Sequence, residues 1–221
     1  MPYKVFFGPK SHDEPTPHPA AVEAIPSAVA IAPEAADRHV YFYSDVDVQS
    51  CLGLSKQLRA LDVRLRTERL QRDLSDYALS TDVPPVPIWL HIQSDGGDLS
   101  AAFGMADTIR LLSTPVYSVV EGVVASAGTI LSAACHERFI LPNAYIMIHQ
   151  LSGLAWGKHQ EVVDAMVLWD GLMAQLVAFY EARTLMNAEA VREKLSRDTW
   201  LNAGQAIELG LVDRLLRREE R

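Results

Sequence analysis

The sequence has little cysteine and no segment typical of a secretion signal. Only two of its 221 residues are cysteines, Cys51 and Cys135, each among apolar neighbours. This count gives almost no support to a disulfide framework or a thiolate metal site and favours buried free thiols. The start, MPYKVFFGPKSHDEPTPHP, shows no basic leader followed by an apolar stretch and a small-residue cleavage site. No signal peptide is therefore predicted, and we expect a cytoplasmic protein.

Long apolar runs and an excess of positive charge are also missing. The apolar runs are interrupted by charged or polar residues before they reach the roughly 20 residues that cross a bilayer, so no membrane span is expected. The formal net charge is -8, and the Lys and Arg residues are dispersed among acids. Such a surface argues against nucleic acid or an anionic membrane as a partner.

Proline is concentrated in the first part of the chain. Seven of the twelve prolines lie within residues 1–37, mixed with Ala, Glu and Ser. Proline removes backbone donors and biases the preceding residue toward extended conformations, so this stretch is interpreted as an extended arm or a disordered leader. The remaining residues, 38–221, are numerous and apolar enough to form one domain with a substantial core.

Strand and helix patterns alternate along that domain. HVYFYSD predicts a strand, a long amphipathic helix starts near Asp47, IWLHIQ predicts a second strand, and helical spacing resumes between Leu99 and Leu112. PVYSVV predicts a buried strand before the small-residue helix expected within GVVASAGTILSAA. RFILPNAYIMIH predicts a hairpin or paired strands around Pro142 and Asn143. The alternation predicts an α/β fold with a largely parallel sheet.

The sequence pattern of the later part of the chain predicts two more helices and a last strand. The helix near residues 160–183 is apolar around most of its surface, so we expect it to be buried in its own core or against another subunit. Asn202 can cap the helix AGQAIEL, Gly210 can end it, and LVDRLL can pair as the last strand.

Three residues from different element ends offer the groups that nucleophilic catalysis needs. Ser126 opens the small-residue helix, His149 closes the strand AYIMIH, and Asp198 lies in SRDTW. A hydroxyl, an imidazole and a carboxylate can serve as nucleophile, base and orienting group. Each one alone also has a purely structural interpretation. Ser126 could be a packing residue or an N-cap, His149 a core or surface histidine, and Asp198 an N-cap or part of an ion pair. Cys135 is a weaker candidate nucleophile.

A glycine pair in SDGGDL follows the second predicted strand. Adjacent glycines allow a ligand to approach the backbone amides closely, although a tight turn uses the same residues. The pair lacks the spacing and the following Lys-Ser/Thr pair of a phosphate-binding loop. The joint occurrence of this turn with the three polar residues is the informative observation.

Four motifs in order resemble the proteolytic subunit of the Clp protease, a self-compartmentalising serine peptidase. They are SDGGDLSAAFGMADTIR, GVVASAGTILSAA, RFILPNAYIMIHQ and RDTWLNAGQAIELGLVDRLL. Gly97, Ser126, His149 and Asp198 follow one another at intervals of 29, 23 and 49 residues, which agree with the catalytic layout of that family.

The resemblance implies a site, a fold and an assembly. It implies a Ser126, His149 and Asp198 triad, with the backbone amides of Gly97 and Ala127 as the oxyanion hole and with no metal or organic cofactor. Substrate backbone would pair with four residues, Asp98, Leu99, Gln150 and Leu151. The implied fold is the spiral of strand-helix units shared with the crotonases, in which the helix at 160–183 forms a handle between two stacked rings of seven subunits. An ATP-driven unfoldase and unfolded polypeptides are the implied partners.

The chain also departs from the family pattern. Asp95 and Leu151 replace prolines in substrate-contacting loops, residues 62–85 lengthen the first helix and its exit, and the pore-lining N-terminal segment is not recognisable in residues 1–37. These departures suggest a divergent or phage-encoded branch. Two alternatives stay open, a catalytically idle ring subunit and an acyl-CoA enzyme of the crotonase fold.

Overall fold

The computed structural model of the chain describes residues 38–75 and 86–217, which form a seven-stranded sheet flanked by helices. The strands are β1 (His39–Tyr43), β2 (Ile88–Ser94), β3 (Val116–Ala125), β4 (Glu137–Ile140), β5 (Tyr145–Ile148), β6 (Thr199–Asn202) and β7 (Arg214–Leu215). The helices are α1 (Val48–Ser75), α2 (Leu99–Leu111), α3 (Ala127–Ala133), α4 (His159–Arg183), α5 (Ala188–Leu195) and α6 (Ala203–Glu208). The predicted arm, 1–37, and the last part of the 62–85 extension lie outside the described residues.

The sheet is parallel except at one edge. Its strands run in the order β1-β2-β3-β4-β7, and β5 pairs with the second half of β3. Only the β5–β6 pair is antiparallel. This arrangement confirms the α/β class and the largely parallel sheet expected from the alternation of strands and helices.

The strands place apolar side chains on one face of the sheet and aromatic and polar ones on the other. In β2 the residues Ile88, Leu90 and Ile92 are fully buried in the main core, whereas Trp89 and His91 between them are partly exposed. Because successive side chains of a strand point to opposite faces, the alternation in the sequence specifies which face receives the helices.

Two predicted elements differ from the structure. The strand predicted at PVYSVV is longer than expected, since Gly122–Ala125 continue β3, and α3 begins at Ala127 directly after Ser126. The hairpin prediction around Pro142 and Asn143 is wrong, because β4 and β5 both run parallel to β3 and pair with its two halves. The short turn between them moves the chain from one half of β3 to the other.

Helix α4 also corrects an expectation. Only Leu176, Val177 and Tyr180, near its C-terminal end, are buried within the subunit. By length and composition α4 could cross a membrane, contrary to the expectation that no segment approaches such a span. Since the same composition serves a helix that packs against another protein, the exposed half of α4 needs a covering that the single subunit does not supply.

Candidate active site

Ser126 lies in a strained turn between a strand and a helix. It follows β3 directly and precedes α3, with φ of 50° and ψ of −126°. Among the described residues it is the only non-glycine with a positive φ. Its N–H donates to the Met147 carbonyl at 2.8 Å. Strain of this kind persists only where the surroundings hold it, and it concentrates at functional sites.

Strand register brings the imidazole and the carboxylate to the same place. Ala125 pairs with Met147 in the parallel β3–β5 ladder, so Ser126 and His149 both lie just beyond the carboxyl ends of neighbouring strands. Ile148 pairs with Thr199 in the antiparallel β5–β6 ladder, which places His149 beside Asp198. Ser126 and His149 are 23 positions apart, and His149 and Asp198 are 49 apart. They meet because of these two adjacent strand pairings.

The three side chains form one hydrogen-bonded row. Nε2 of His149 is 2.7 Å from Oγ of Ser126, and Nδ1 of His149 is 3.1 Å from Oδ1 of Asp198. The imidazole is 20% exposed and the carboxylate 68% exposed. Asp198 follows α5 and precedes β6 directly. This geometry matches the distances that a nucleophile, its base and an orienting group require.

The glycine turn lies against Ser126. Gly96 has a φ of 102°, and a Cβ placed on it would be 2.6 Å from Cβ of Ser126. Gly97 has a φ of 143°, and a Cβ there would be 2.2 Å from the Val46 carbonyl oxygen. Glycine is therefore required at both positions by conformation and by space.

A small pocket opens beside the hydroxyl of Ser126. Its lining includes both expected oxyanion residues, three of the four expected substrate-contacting residues, and three apolar or aromatic side chains: Gly97, Ala127, Leu99, Gln150, Leu151, Ile130, Leu176 and Tyr180, together with Ser126 and His149. The pocket therefore has a reactive edge and a mostly apolar interior.

Asp98 and Gln150 have their backbone groups engaged within the protein. The N–H of Asp98 donates to Val46 and its carbonyl accepts from Ala102, while its side chain caps α2. The N–H of Gln150 donates to the Leu195 carbonyl. Their predicted role in substrate pairing stays a prediction. In this conformation only their carbonyl oxygens, each of which has two lone pairs, could accept a further bond from substrate.

Cys135 does not share the site. Its side chain is 3% exposed, and its thiol donates to the Leu131 carbonyl. Burial raises the pKa of this thiol to about 12, so it remains protonated near neutral pH. Cys51 is also buried and free, as the sequence indicated.

Sequence reasoning missed a buried contact between two helices behind the site. The hydroxyl of Tyr180, on α4, is 2.5 Å from Oγ1 of Thr129, on α3. These residues are 51 positions apart. No local signal in the sequence distinguishes the pair, because the contact depends on how the two helices pack against each other.

The described part of the chain contains no cluster of side chains suited to bind a metal ion. Within residues 38–75 and 86–217, no group of three or more His, Cys, Asp and Glu side chains is placed to hold an ion. His91 is hydrogen-bonded to Glu121 at 2.8 Å and to His39 at 2.9 Å. It lies on the face of the sheet opposite the buried residues of β2.

Comparison with known proteins gives one consistent result. The Clp protease family model matches residues 34–219. The ATP-dependent Clp protease proteolytic subunit 2 of Treponema pallidum is 36% identical over 135 residues, which are 60% of this chain and 67% of that protein. Proteolytic subunit 1 of Chlamydia muridarum is 36% identical over 138 residues, which are 60% of this chain and 71% of that protein.

Solved structures agree with the sequence comparison. A mutant of ClpP1 from Listeria monocytogenes superimposes with a TM-score of 0.68 at 25% identity, covering 83% of this chain and 94% of that one. Family model, relatives and fold agree with the motifs in the sequence. The chain belongs to the Clp protease family of serine peptidases.

Proposed function

We propose that the chain is an endopeptidase that cleaves polypeptides by acyl transfer from Ser126. The 2.7 Å contact between the hydroxyl of Ser126 and Nε2 of His149 carries this proposal. Oγ of Ser126 bonds to the peptide carbonyl carbon as its proton passes to His149. His149 then returns that proton to the departing amine, and water hydrolyses the resulting ester with His149 again as base.

Asp198 holds the imidazole in the tautomer that this sequence of steps requires. Its carboxylate accepts from Nδ1–H of His149, which leaves Nε2 free to take the serine proton. It also stabilises the imidazolium formed during attack.

The backbone amides of Gly97 and Ala127 stabilise the tetrahedral oxyanion. Both residues line the pocket beside Ser126. Preorganised donors of this type are typically worth about 3 kcal/mol each in the transition state. The positive φ angles of Gly97 and Ser126 support the proposal, because unusual backbone conformations of this kind concentrate at functional sites.

The pocket interior favours an apolar side chain next to the cleaved bond. Leu99, Ile130 and Leu176 line it, and all three are buried. The substrate backbone extends along Asp98 and Leu99 on one side and along Gln150 and Leu151 on the other. Asp95, which is exposed beside the glycine turn, would favour basic residues nearby.

The exposed half of α4 and the segment before it support assembly into stacked rings. Large apolar side chains protrude there: Leu154, Trp156, Val163, Met166, Val167 and Leu168. Trp156 is 92% exposed and Leu154 is 86% exposed. A group of large exposed apolar side chains is typical of a subunit interface. We propose heptameric rings that enclose a chamber in the cytoplasm, fed by an ATP-driven unfoldase, with 38–221 as the peptidase domain and 1–37 as an arm.

Substitution of the nucleophile tests the chemistry. Ser126→Ala should abolish hydrolysis of a fluorogenic peptide and labelling by a fluorophosphonate, because only an activated serine reacts with that probe. Ser55→Ala, on α1, removes a hydroxyl elsewhere and should label like the parent protein. A parent protein that neither labels nor cleaves, when assembled, would instead favour the idle ring subunit.

A further inference from the structure

A second hydrogen-bonded row reaches Ser126 through its backbone carbonyl. The hydroxyl of Tyr180 is 2.5 Å from Oγ1 of Thr129, and that oxygen is 2.6 Å from the carbonyl oxygen of Ser126. Tyr180 and Thr129 are each 2% exposed. The two hydroxyl-bearing residues of the row are therefore buried.

The carbonyl oxygen of Ser126, at the end of the row, fixes which hydroxyl donates in each hydrogen bond. A carbonyl oxygen can only accept, so the Thr129 hydroxyl donates its single hydrogen to Ser126. Oγ1 of Thr129 must then accept from the Tyr180 hydroxyl. Burial raises the pKa of Tyr180 to about 12, which keeps the phenol protonated and able to donate at neutral pH.

The carbonyl at the end of the row belongs to the peptide group whose other end is the N–H of Ala127. The N–H of Thr129 also donates to this carbonyl, at 3.0 Å. Because a peptide group is planar, two bonds to its oxygen also set the direction of its N–H. Ser126 has a φ of 50°, so the group is held in a conformation that the chain would not adopt unaided.

We propose that Thr129 and Tyr180 are positioning residues for the oxyanion hole. They hold the Ser126–Ala127 peptide group so that its N–H points to the place where negative charge develops. Neither hydroxyl contacts the reacting atoms, since both act through this peptide group. The inference rests on the proposed function, because it assigns the N–H of Ala127 to the oxyanion.

Two isosteric variants test the row. Thr129→Val and Tyr180→Phe should each lower kcat for a fluorogenic peptide by about ten-fold with KM unchanged, less than the 10²–10³-fold loss from removing a donor outright. Affinity for a peptide boronate, whose adduct with serine is tetrahedral, should weaken in proportion to kcat. Thr129→Ser keeps the hydroxyl and should restore the parental kcat.

The double variant and a matched control separate positioning from general destabilisation. Thr129→Val with Tyr180→Phe should lose no more than Thr129→Val alone, because the row acts as one unit. Ser132→Ala removes another buried hydroxyl from α3, one that bonds Ser118 at 2.9 Å rather than the turn. It should lower the melting temperature and leave kcat at the parental value.

The outcomes distinguish this inference from the proposed function. A parent protein that labels with fluorophosphonate, beside variants with parental kcat or with a loss confined to KM, overturns the inference alone. A fall in kcat that Ser132→Ala reproduces also overturns it. A parent protein that is inert to probe and peptide overturns the proposed function and the inference together.

Discussion

At the scale of single residues, the site requires small residues because the backbone segments around Ser126 pack too closely for larger side chains. The strained backbone of Ser126 lies directly against Gly96, and the turn closes with Gly97 against Val46. Adding one methyl group at either glycine would require a shift of backbone atoms. The small residues around Ser126 therefore serve both packing and the placement of backbone amides.

Gly96→Ala should inactivate the enzyme with a limited effect on folding. The added Cβ would meet Cβ of Ser126 at 2.6 Å and would force a change at a φ of 102°, so the hydroxyl would leave the reach of His149. We expect hydrolysis of a fluorogenic peptide to fall by roughly 100-fold or more, comparable with the loss of an oxyanion donor.

Gly104→Ala is the matched control, since it lies within α2 and has no atom within 4 Å of an added Cβ. It should keep parental activity and gain about 0.5–1 kcal/mol in the free energy of unfolding. Equal activity of both alanine variants would contradict the packing argument.

Asp198→Asn should lower kcat while leaving KM nearly unchanged. Asparagine keeps the shape of the side chain but cannot stabilise an imidazolium as a carboxylate does. Since this carboxylate is 68% exposed, water screens its charge. We therefore expect a loss of roughly 10- to 100-fold, below the approximately 10⁴-fold loss known for a buried triad aspartate.

Steady-state kinetics with a fluorogenic peptide would measure this loss. Asp107→Asn, on the exposed side of α2, removes one carboxylate away from the pocket lining and serves as the control. A loss as large as that of Ser126→Ala would show that Asp198 does more than orient and stabilise.

At the scale of elements, the positions of the site residues follow from where strands end. Ser126 and His149 follow parallel neighbours, and Asp198 precedes the strand that pairs antiparallel with β5. The residue pattern predicted most of these strands, because alternation and β-branched content are local. It could not predict that β4 and β5 share β3, since pairing partners depend on the whole sheet.

Helix α4 is a second case in which the residue pattern predicted an element but not its contacts. Its apolar periodicity correctly predicted a helix near residues 160–183. The same pattern could not say which half is covered, because burial depends on what packs against each turn. In the subunit that covering reaches only Leu176, Val177 and Tyr180.

Charged substitutions on the exposed half of α4 should break up the assembly. Val163→Lys combined with Val167→Lys places two charges on side chains that are 40% and 66% exposed in the subunit, and burying them in an interface is costly. Because the proposed assembly uses α4 to join two stacked rings, we expect the native mass to fall to about half the parental value, as measured by light scattering.

Leu70→Lys changes an exposed leucine of α1 and should leave the native mass at the parental value. If the α4 double variant keeps the particle mass of the parent, this face is not the interface.

At the scale of the whole molecule, one main core joins the sheet to the helices. Most of the buried apolar residues form a single cluster that extends from β1 to the segment after α6. Cys135 lies in this cluster, fully enclosed at the end of α3. The free energy of unfolding of the subunit therefore responds to the protonation state of this thiol.

Stability should decline in alkaline solution partly because of Cys135. Burial raises its pKa from 9.0 to about 12, so between these values the unfolded chain binds fewer protons than the folded one. The contribution is fully present below about pH 9 and is lost as the pH rises toward the folded pKa, by roughly 1 kcal/mol per pH unit.

Urea unfolding on either side of about pH 9 would measure this decline. Cys135→Ala should show a shallower fall across the same interval, although its stability near neutral pH is lower because a buried group is lost. An unchanged slope in this variant would rule out the thiol as a source.

The sequence by itself determined most of the strands and helices, though not α5 or β6, together with the buried free cysteines and the family motifs. These features depend on periodicity, composition and short spacings, which act between neighbours in the chain. Only the tertiary structure decided that Tyr180 reaches Thr129, that β3 pairs with both β4 and β5, and that half of α4 is left uncovered. Those outcomes depend on contacts between residues far apart in sequence, whose register is set by the packing of the entire sheet and its helices.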